Sequence, residues 1–268
     1  GTSGAITLND TTVALSGSSS DLSTIFTETI TTHTGAVTIT TDSDYTVTEL
    51  KTINNKTDGA ITLNDTTLAL SGDATDLAVA LAGTIDHTGA VTITTDSDYT
   101  LAELKTINNG TDGAITLNDT TLALSGDATD LAAALAGTIT HTGAVTVTTD
   151  SDYTAAELLT IAGGTSGAIT LNDTTVALSG SSSDLSTIFT ETITTHTGAV
   201  TITTDSDYTV TELKTINNKT DGAITLNDTT LALSGDATDL AVALAGTIDH
   251  TGAVTITTDS DYTLAELK

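Results

Sequence analysis

The string GAITLND begins at Gly4, Gly59, Gly113, Gly167 and Gly222, at spacings of 55, 54, 54 and 55 residues. A chain that returns to the same sequence at such steps does not build one central core; each copy has to bury its apolar side against the next. The copies span approximately 1–56, 57–110, 111–163, 164–219 and 220–268, the last one truncated, and the pattern predicts a single continuous solenoid. A longer period overlies the short one: residues 164–268 are identical to residues 1–105. Identity that extends through the loops exceeds what packing alone preserves. It fits recent duplication, a synthetic origin or a piece of a periodic fibre.

Each copy has two halves. The second half, as in GAVTITTDSDYTLAELKTINN from Gly89 to Asn109, reads as strand, turn and helix. Val91 and Ile93 alternate with Thr92 and Thr94, the two-residue period of a strand with one buried face. Thr100 and Glu103 have the spacing of a capping box, in which each side chain satisfies a free N–H at the helix start. Tyr99 and Leu104 flank that cap as a hydrophobic staple does. Leu101, Leu104 and Ile107 then make one narrow apolar stripe, and Gly110 closes the helix. The first half, as in Gly59–Thr88, carries AITLND, a second short strand TTLALSG, and a helix with Leu77, Ala80 and Leu81 on one face before Gly83. Aligning DLAVALAGTIDHTGAVTI with TLAELKTINNGTDGAITL makes the halves diverged copies of each other.

Strands separated by helices return to the same end of the sheet, so they pair in parallel, with right-handed crossovers. The predicted fold is an α/β repeat protein: a solenoid of stacked strand-helix half-repeats, with a parallel β-sheet on one side and short helices on the other. The predicted core is Ile61, Leu63, Leu68, Leu70, Leu77, Leu81, Ile85, Val91, Ile93, Leu101, Leu104 and Ile107, with their equivalents. The total absence of Pro agrees with uninterrupted ladders and helices. Copies one and four differ from the rest in carrying SSSDLSTIFTETITTHTG, with Phe26 and Phe189 where the others have Leu. The third ends AAELLTIAGG, with Leu159 where Lys stands at 51, 105, 214 and 268.

Composition narrows the function classes. Asp and Glu number 35 against six Lys and no Arg, a formal net charge of -29. Such a surface repels nucleic acid and anionic membranes and favours cations. Without Cys there are neither disulfides nor thiolate metal sites. No apolar run is long enough to span a bilayer, so membrane insertion is not expected. The chain starts at Gly1 and stops at Lys268 inside a helical pattern that its siblings continue, as a piece of a longer polypeptide does.

The strings ALSGDATDLAVALAGTI, HTGAVTITTD and YTLAELKTINN resemble the Thr- and Asp-rich tandem repeats of very large secreted or cell-surface bacterial proteins, of the kind found in marine cyanobacteria. The resemblance covers the whole chain. It implies an extracellular or cell-surface location and an acidic structural or adhesive role, and it brings no catalytic residues with it.

The residues that could carry chemistry are few. Asp42 and Asp44, Asp96 and Asp98, Asp150 and Asp152, Asp205 and Asp207, and Asp259 and Asp261 form an Asp-x-Asp in every second half, which stacking turns into a ladder. Carboxylate oxygens suit calcium, although the loops have neither EF-hand nor β-roll spacing, and the same residues serve as turn formers near a helix N-terminus. Calcium is the one cofactor this pattern admits. His33, His87, His141, His196 and His250 occur singly, without the companions of a zinc site, and read as hydrogen-bonded or exposed rings. The pairs Thr38 and Thr40, Thr92 and Thr94, Thr146 and Thr148, Thr201 and Thr203, and Thr255 and Thr257 form an outward Thr-x-Thr ladder of the kind used by ice-binding solenoids. Thr is also an ordinary residue for an exposed sheet face. A Ser-His-Asp triad needs a unique convergent pocket, which a shallow repeated coil does not offer. The sequence therefore points to a non-enzymatic structural segment of an extracellular fibre, surface layer or adhesin stalk, whose partners are other copies of itself, end to end or laterally. The rival reading is a binding module, for calcium-dependent adhesion or for ice.

Overall fold

A computed structural model of the chain describes all residues except 1–3, 28, 29, 31, 42, 43, 95–98, 149, 150, 191, 192, 194, 204–207 and 258–261. The chain forms two compact units, one of Gly1–Leu122 with Ala133–Thr142 and one of Ala123–Ala132 with Gly143–Lys268. The first contains β1 (Leu15–Gly17), α1 (Ser19–Thr27), β2 (Val37–Ile39), α2 (Val47–Asn54), β3 (Ile61–Thr62), β4 (Leu70–Gly72), α3 (Ala74–Ala80), β5 (Val91–Ile93), α4 (Leu101–Asn109) and β6 (Ile115–Thr116). The chain continues through β7 (Leu124–Gly126), α5 (Ala128–Leu135), β8 (Val145–Val147), α6 (Ala155–Gly164), β9 (Ile169–Leu171), β10 (Leu178–Gly180), α7 (Ser182–Thr190), β11 (Val200–Ile202), α8 (Val210–Asn217), β12 (Ile224–Thr225), β13 (Leu233–Gly235), α9 (Ala237–Ala243) and β14 (Val254–Ile256).

The helices start where local chemistry allows. Thr46, Thr100, Thr154 and Thr209 each close a complete capping box; at α4, Thr100 Oγ1 accepts the Glu103 N–H at 3.2 Å while Glu103 Oε2 accepts the Thr100 N–H at 2.9 Å. The helix of the first half begins at Ala74, three residues ahead of its first core Leu, Leu77. Asp73 is its N-cap, with Oδ1 accepting the Asp76 N–H at 2.8 Å. It is also short: Gly83, Gly137 and Gly246 take positive φ values of 75°, 72° and 77°, which turn the chain out of the helix.

All strand pairs are parallel among the described residues, as expected for strands joined through helices. The pairing refines the expected sheet, which is built from short ladders. In the first unit one ladder runs Leu15, Val37, Ile61, Ile85 and the next runs Leu70, Val91, Ile115, Ile139, the last member of each joining through an isolated bridge. In the second unit the ladders are Leu124, Val145, Ile169, Ile193, then Leu178, Val200, Ile224, and Leu233, Val254. After β3 the chain does not return directly to a helix. It turns at Asp65, whose Oδ1 accepts the Thr67 N–H at 2.9 Å and O–H at 2.7 Å, and enters the following ladder at Leu70. Each unit is thus an α/β solenoid in which one coil feeds two ladders. The bridges at Ile85 and Ile139 show that the segment between helix and next strand also adds one residue to the preceding ladder.

The core lies between ladders and helices. Ile61, Leu63, Leu70, Leu77, Leu81, Val91, Ile93, Leu104 and Ile107 are buried as expected. Leu68, Ile85 and Leu101 are only half-buried, because they sit where the chain leaves or enters a coil. Tyr45, Tyr99, Tyr153 and Tyr208 are buried as well, together with Ala74 and Ala80.

Candidate functional site

The acidic turns are the first place to look for a bound cation. Asp42, Asp96, Asp98, Asp150, Asp205, Asp207, Asp259 and Asp261 lie outside the described residues; Asp44 and Asp152 are described and exposed. Among the described residues no three His, Asp or Glu side chains stand close enough together to hold a metal ion. The carboxylates that structure the coils are different ones. Asp10, Asp65, Asp119, Asp173 and Asp228 each accept from a Thr two residues on, and those hydrogen bonds hold their pKa below the ordinary carboxylate value. They act as turn locks, each through its Oδ1.

The histidines are more integral than single loop residues suggest. His33, His87, His141 and His196 are buried. Each of the five directs Nε2 at a backbone carbonyl, of Val13, Leu68, Leu122, Val176 and Leu231 respectively, at 2.7 to 2.9 Å. A carbonyl only accepts, so Nε2 carries a proton. Nδ1 of His33, His87 and His196 faces the Oγ1 of Thr57, Thr111 and Thr220 in the next coil at 2.9 to 3.0 Å. The Thr111 hydroxyl has one proton for two acceptors, His87 Nδ1 and the Gly89 carbonyl at 3.1 Å, while it accepts the Gly113 N–H at 3.0 Å. Burial pulls the pKa of His87 and His196 below the ordinary value, against the carbonyl bonds that push it up. In these three rings both nitrogens are engaged, which leaves no lone pair directed at solvent for base catalysis or metal ligation.

The Thr ladder is in register. Thr38, Thr92, Thr146 and Thr201 lie opposite Thr62, Thr116, Thr170 and Thr225 on one side. On the other side they meet Ser16, Ser71, Ser125 and Ser179, and Thr255 meets Ser234. Thr40, Thr94, Thr148, Thr203 and Thr257 at the strand ends are exposed, whereas Thr38, Thr92, Thr146 and Thr201 are half-buried. Since a new ladder starts with every repeat, the hydroxyl columns run Ser-Thr-Thr and stop.

A second set of coil-to-coil bonds involves tyrosine. Tyr45, Tyr99 and Tyr153 donate to the carbonyls of Asp65, Asp119 and Asp173 at 2.5 to 2.7 Å, and Tyr208 donates to that of Asp228. Burial first, and then the neighbouring Asp charge, raises the pKa of Tyr45, Tyr99 and Tyr153 to about 12. The staple position accounts for the buried ring; the acceptor, in the following coil, was not readable from it. Lys51 and Lys214 pair with Asp76 and Asp239 of the next helix, half-exposed ion pairs that contribute little.

Each unit has a cleft beside its first or last described coil. One is lined by Leu8, Val13, Leu15, Ile25 and Ile30, the other by Leu240, Leu244, Val254, Ile256 and Leu267. The first is mainly apolar, with Asn9, Asp10 and His33 at its edge; the second is of mixed polarity, with Glu266 and Lys268 beside the apolar residues. No helix among the described residues is long and apolar enough to cross a membrane. No known protein family, curated protein or solved structure matches the chain.

Proposed function

We propose that the chain is a non-enzymatic structural segment of an extracellular fibre, surface layer or adhesin stalk, lengthened by further repeats of the same chain or by end-to-end stacking of copies. One observation carries this reading: identical residues change from core to surface with the presence of a following coil. Val91, paired with Ile115, is 0% exposed; Val254, the same residue one long period later, is 46% exposed. Tyr99 and Tyr262 differ in the same way, at 3% and 52%, as do Leu104 and Leu267, at 0% and 53%. Covering a Leu or Val side chain in this manner contributes about 1.5 to 3 kcal/mol each. Each added coil therefore favours the next, which suits a part whose task is length. The acidic surface and the resemblance to secreted bacterial tandem repeats support the extracellular placement.

Negative-stain electron microscopy and sedimentation of the purified chain over a hundredfold concentration range test the stacking form. Lengthening particles with uniform cross-section are expected. Particles that stay single at the highest concentration would leave covalent continuation as the only form of the proposal.

The in-register Thr columns favour a second reading, a surface-binding module for ice, with calcium-dependent adhesion through the Asp-x-Asp turns as its other form. Thermal hysteresis and ice-crystal shaping test the first. Normal crystal growth in the presence of the protein disposes of it.

A further inference from the structure

The helix of one repeat meets the first helix of the next in two chemically different ways. In the first way an Asn reaches across. Asn54 at the end of α2 donates Nδ2–H to the carbonyls of Val79 and Ala82, at 2.6 and 2.8 Å, where α3 has run out. Asn108 does the same for Ala133 and Ala136 at 2.7 and 3.0 Å, and Asn217 for Val242 and Ala245 at 2.6 and 3.0 Å. These are carbonyls at and just beyond the last helical turn, and those of Val79 and Val242 also accept a backbone N–H, from Ala82 at 3.4 Å and Ala245 at 3.3 Å. Every helix that receives an Asn is short, has Ala at the buried position beneath it (Ala80, Ala134, Ala243), and leaves through a positive-φ Gly.

In the second way no Asn is present. Ala162 of α6 occupies the position of Asn54 and is buried, and the facing helix α7 has Ile188 in place of Ala80, fully buried. α7 extends to Thr190, no Gly follows it, and the hydroxyls of Thr187 and Thr190 bond back to the carbonyls of Ser183 and Ser186. Here the junction is filled by hydrocarbon.

We propose that these are two mutually exclusive interaction surfaces that dictate which repeat can neighbour which. An Asn brought to position 162 meets the buried hydrocarbon of Ile188, which strands a half-buried amide. An Ala brought to position 108 leaves the carbonyls of Ala133 and Ala136 without the amide and opens space above Ala134. The 163-residue period would then record an order of junctions, Asn-clamped and apolar, and the partner that each helix face accepts is the helix of matching type. This sorting rests on helix packing alone and holds whether or not the chain builds a fibre.

The test is a double-substitution cycle in the full chain, read by hydrogen exchange over residues 128–138, a segment whose sequence occurs once. Asn108→Ala and Ala134→Ile are each expected to speed exchange on the order of tenfold, the effect of losing about one charge-free hydrogen bond or of crowding a core site. The double variant is expected to exchange more slowly than either single one, because it rebuilds the apolar junction. Ala162→Asn and Ile188→Ala form the converse cycle, read over residues 155–163. If a single variant unfolds its coil, recovery of protection in the double variant is the supporting result. Effects that simply multiply in both cycles, with no recovery, overturn the proposal, and whether particles lengthen under the microscope has no bearing on it.

Discussion

Gly113 lies directly on Gly89: a Cβ built at Gly113 would stand 1.9 Å from the Gly89 carbonyl oxygen. The same closeness recurs between Gly59 and Gly35 and between Gly222 and Gly198. The Gly of GAITLND is thus a spacing device, which lets successive coils approach to ladder distance at the corner where Thr111 bonds to Gly89 and His87.

Gly113→Ala is accordingly expected to destabilise the chain by about 3 kcal/mol, the upper part of the range for overpacking, since the obstructing atom is backbone. Gly163→Ala supplies the contrast. Gly163 lies in α6 with nothing within 4 Å of an added Cβ, and gains about 0.5 to 1 kcal/mol of helix propensity. Thermal melts of the two variants should move in opposite directions.

His87→Ala removes a buried ring that joins three coil segments through the Leu68 carbonyl and Thr111 Oγ1. The loss combines a cavity with an unserved carbonyl, and a cost of about 2 to 4 kcal/mol is expected. Chemical denaturation of the variant should show the loss, accompanied by faster exchange at Asp112, whose N–H donates to the His87 carbonyl at 2.9 Å. An exposed loop histidine would give neither effect.

How far the sequence discloses such contacts depends on whether both partners repeat at matching positions. His87-Thr-Gly89-Ala and Thr111-Asp-Gly113-Ala place His and Thr equally far from the strand-opening Gly, so stacking the halves sets one above the other, and that signal is present in the sequence. Capping boxes, parallel pairing and the Val91, Ile93, Leu104 and Ile107 core follow from local spacing, and they were legible. The division into short ladders was not. It depends on the corner at Asp65, where two strands that the sequence shows as neighbours turn out to belong to different ladders. The Asn54 clamp was equally hidden, because an Asn near a helix end reads as a stop signal and its acceptors are about 25 residues away.

Stability should depend on pH at both ends of the scale. His87 and His196 have folded pKa values below the ordinary 6.5, so the unfolded chain takes up more protons as pH falls through that value. Their contribution is complete above it and declines on acidification. Asp65, Asp119 and Glu103, also lowered, extend the decline below the carboxylate range. The tyrosines work the other way. With folded values raised to about 12, Tyr45, Tyr99 and Tyr153 stabilise fully below pH 10 and lose that contribution as pH rises toward 12. A melting-temperature profile should therefore form a plateau between roughly pH 7 and 10. Tyr99→Phe should lower the plateau and soften its alkaline edge.

Ionic conditions separate diffuse screening from a specific cation site. With 35 acidic residues against six basic ones, mutual repulsion weighs against the folded coils, and added salt relieves it. The melting temperature is expected to climb with sodium chloride and level off near 0.5 M, where screening reaches only about 4 Å. Calcium added on top of that salt is expected to cause no further saturable rise. Binding at the Asp-x-Asp turns would instead raise the melting temperature with calcium concentration even in high salt, by about 2.7 kcal/mol of stability per site at a hundredfold excess over the dissociation constant, and a chelator would reverse it. Asp44→Asn and Asp152→Asn decide the attribution, since both side chains are exposed. Replacing them should leave the salt response almost intact if the cations are diffuse, and should cut the calcium response if those turns hold the ion.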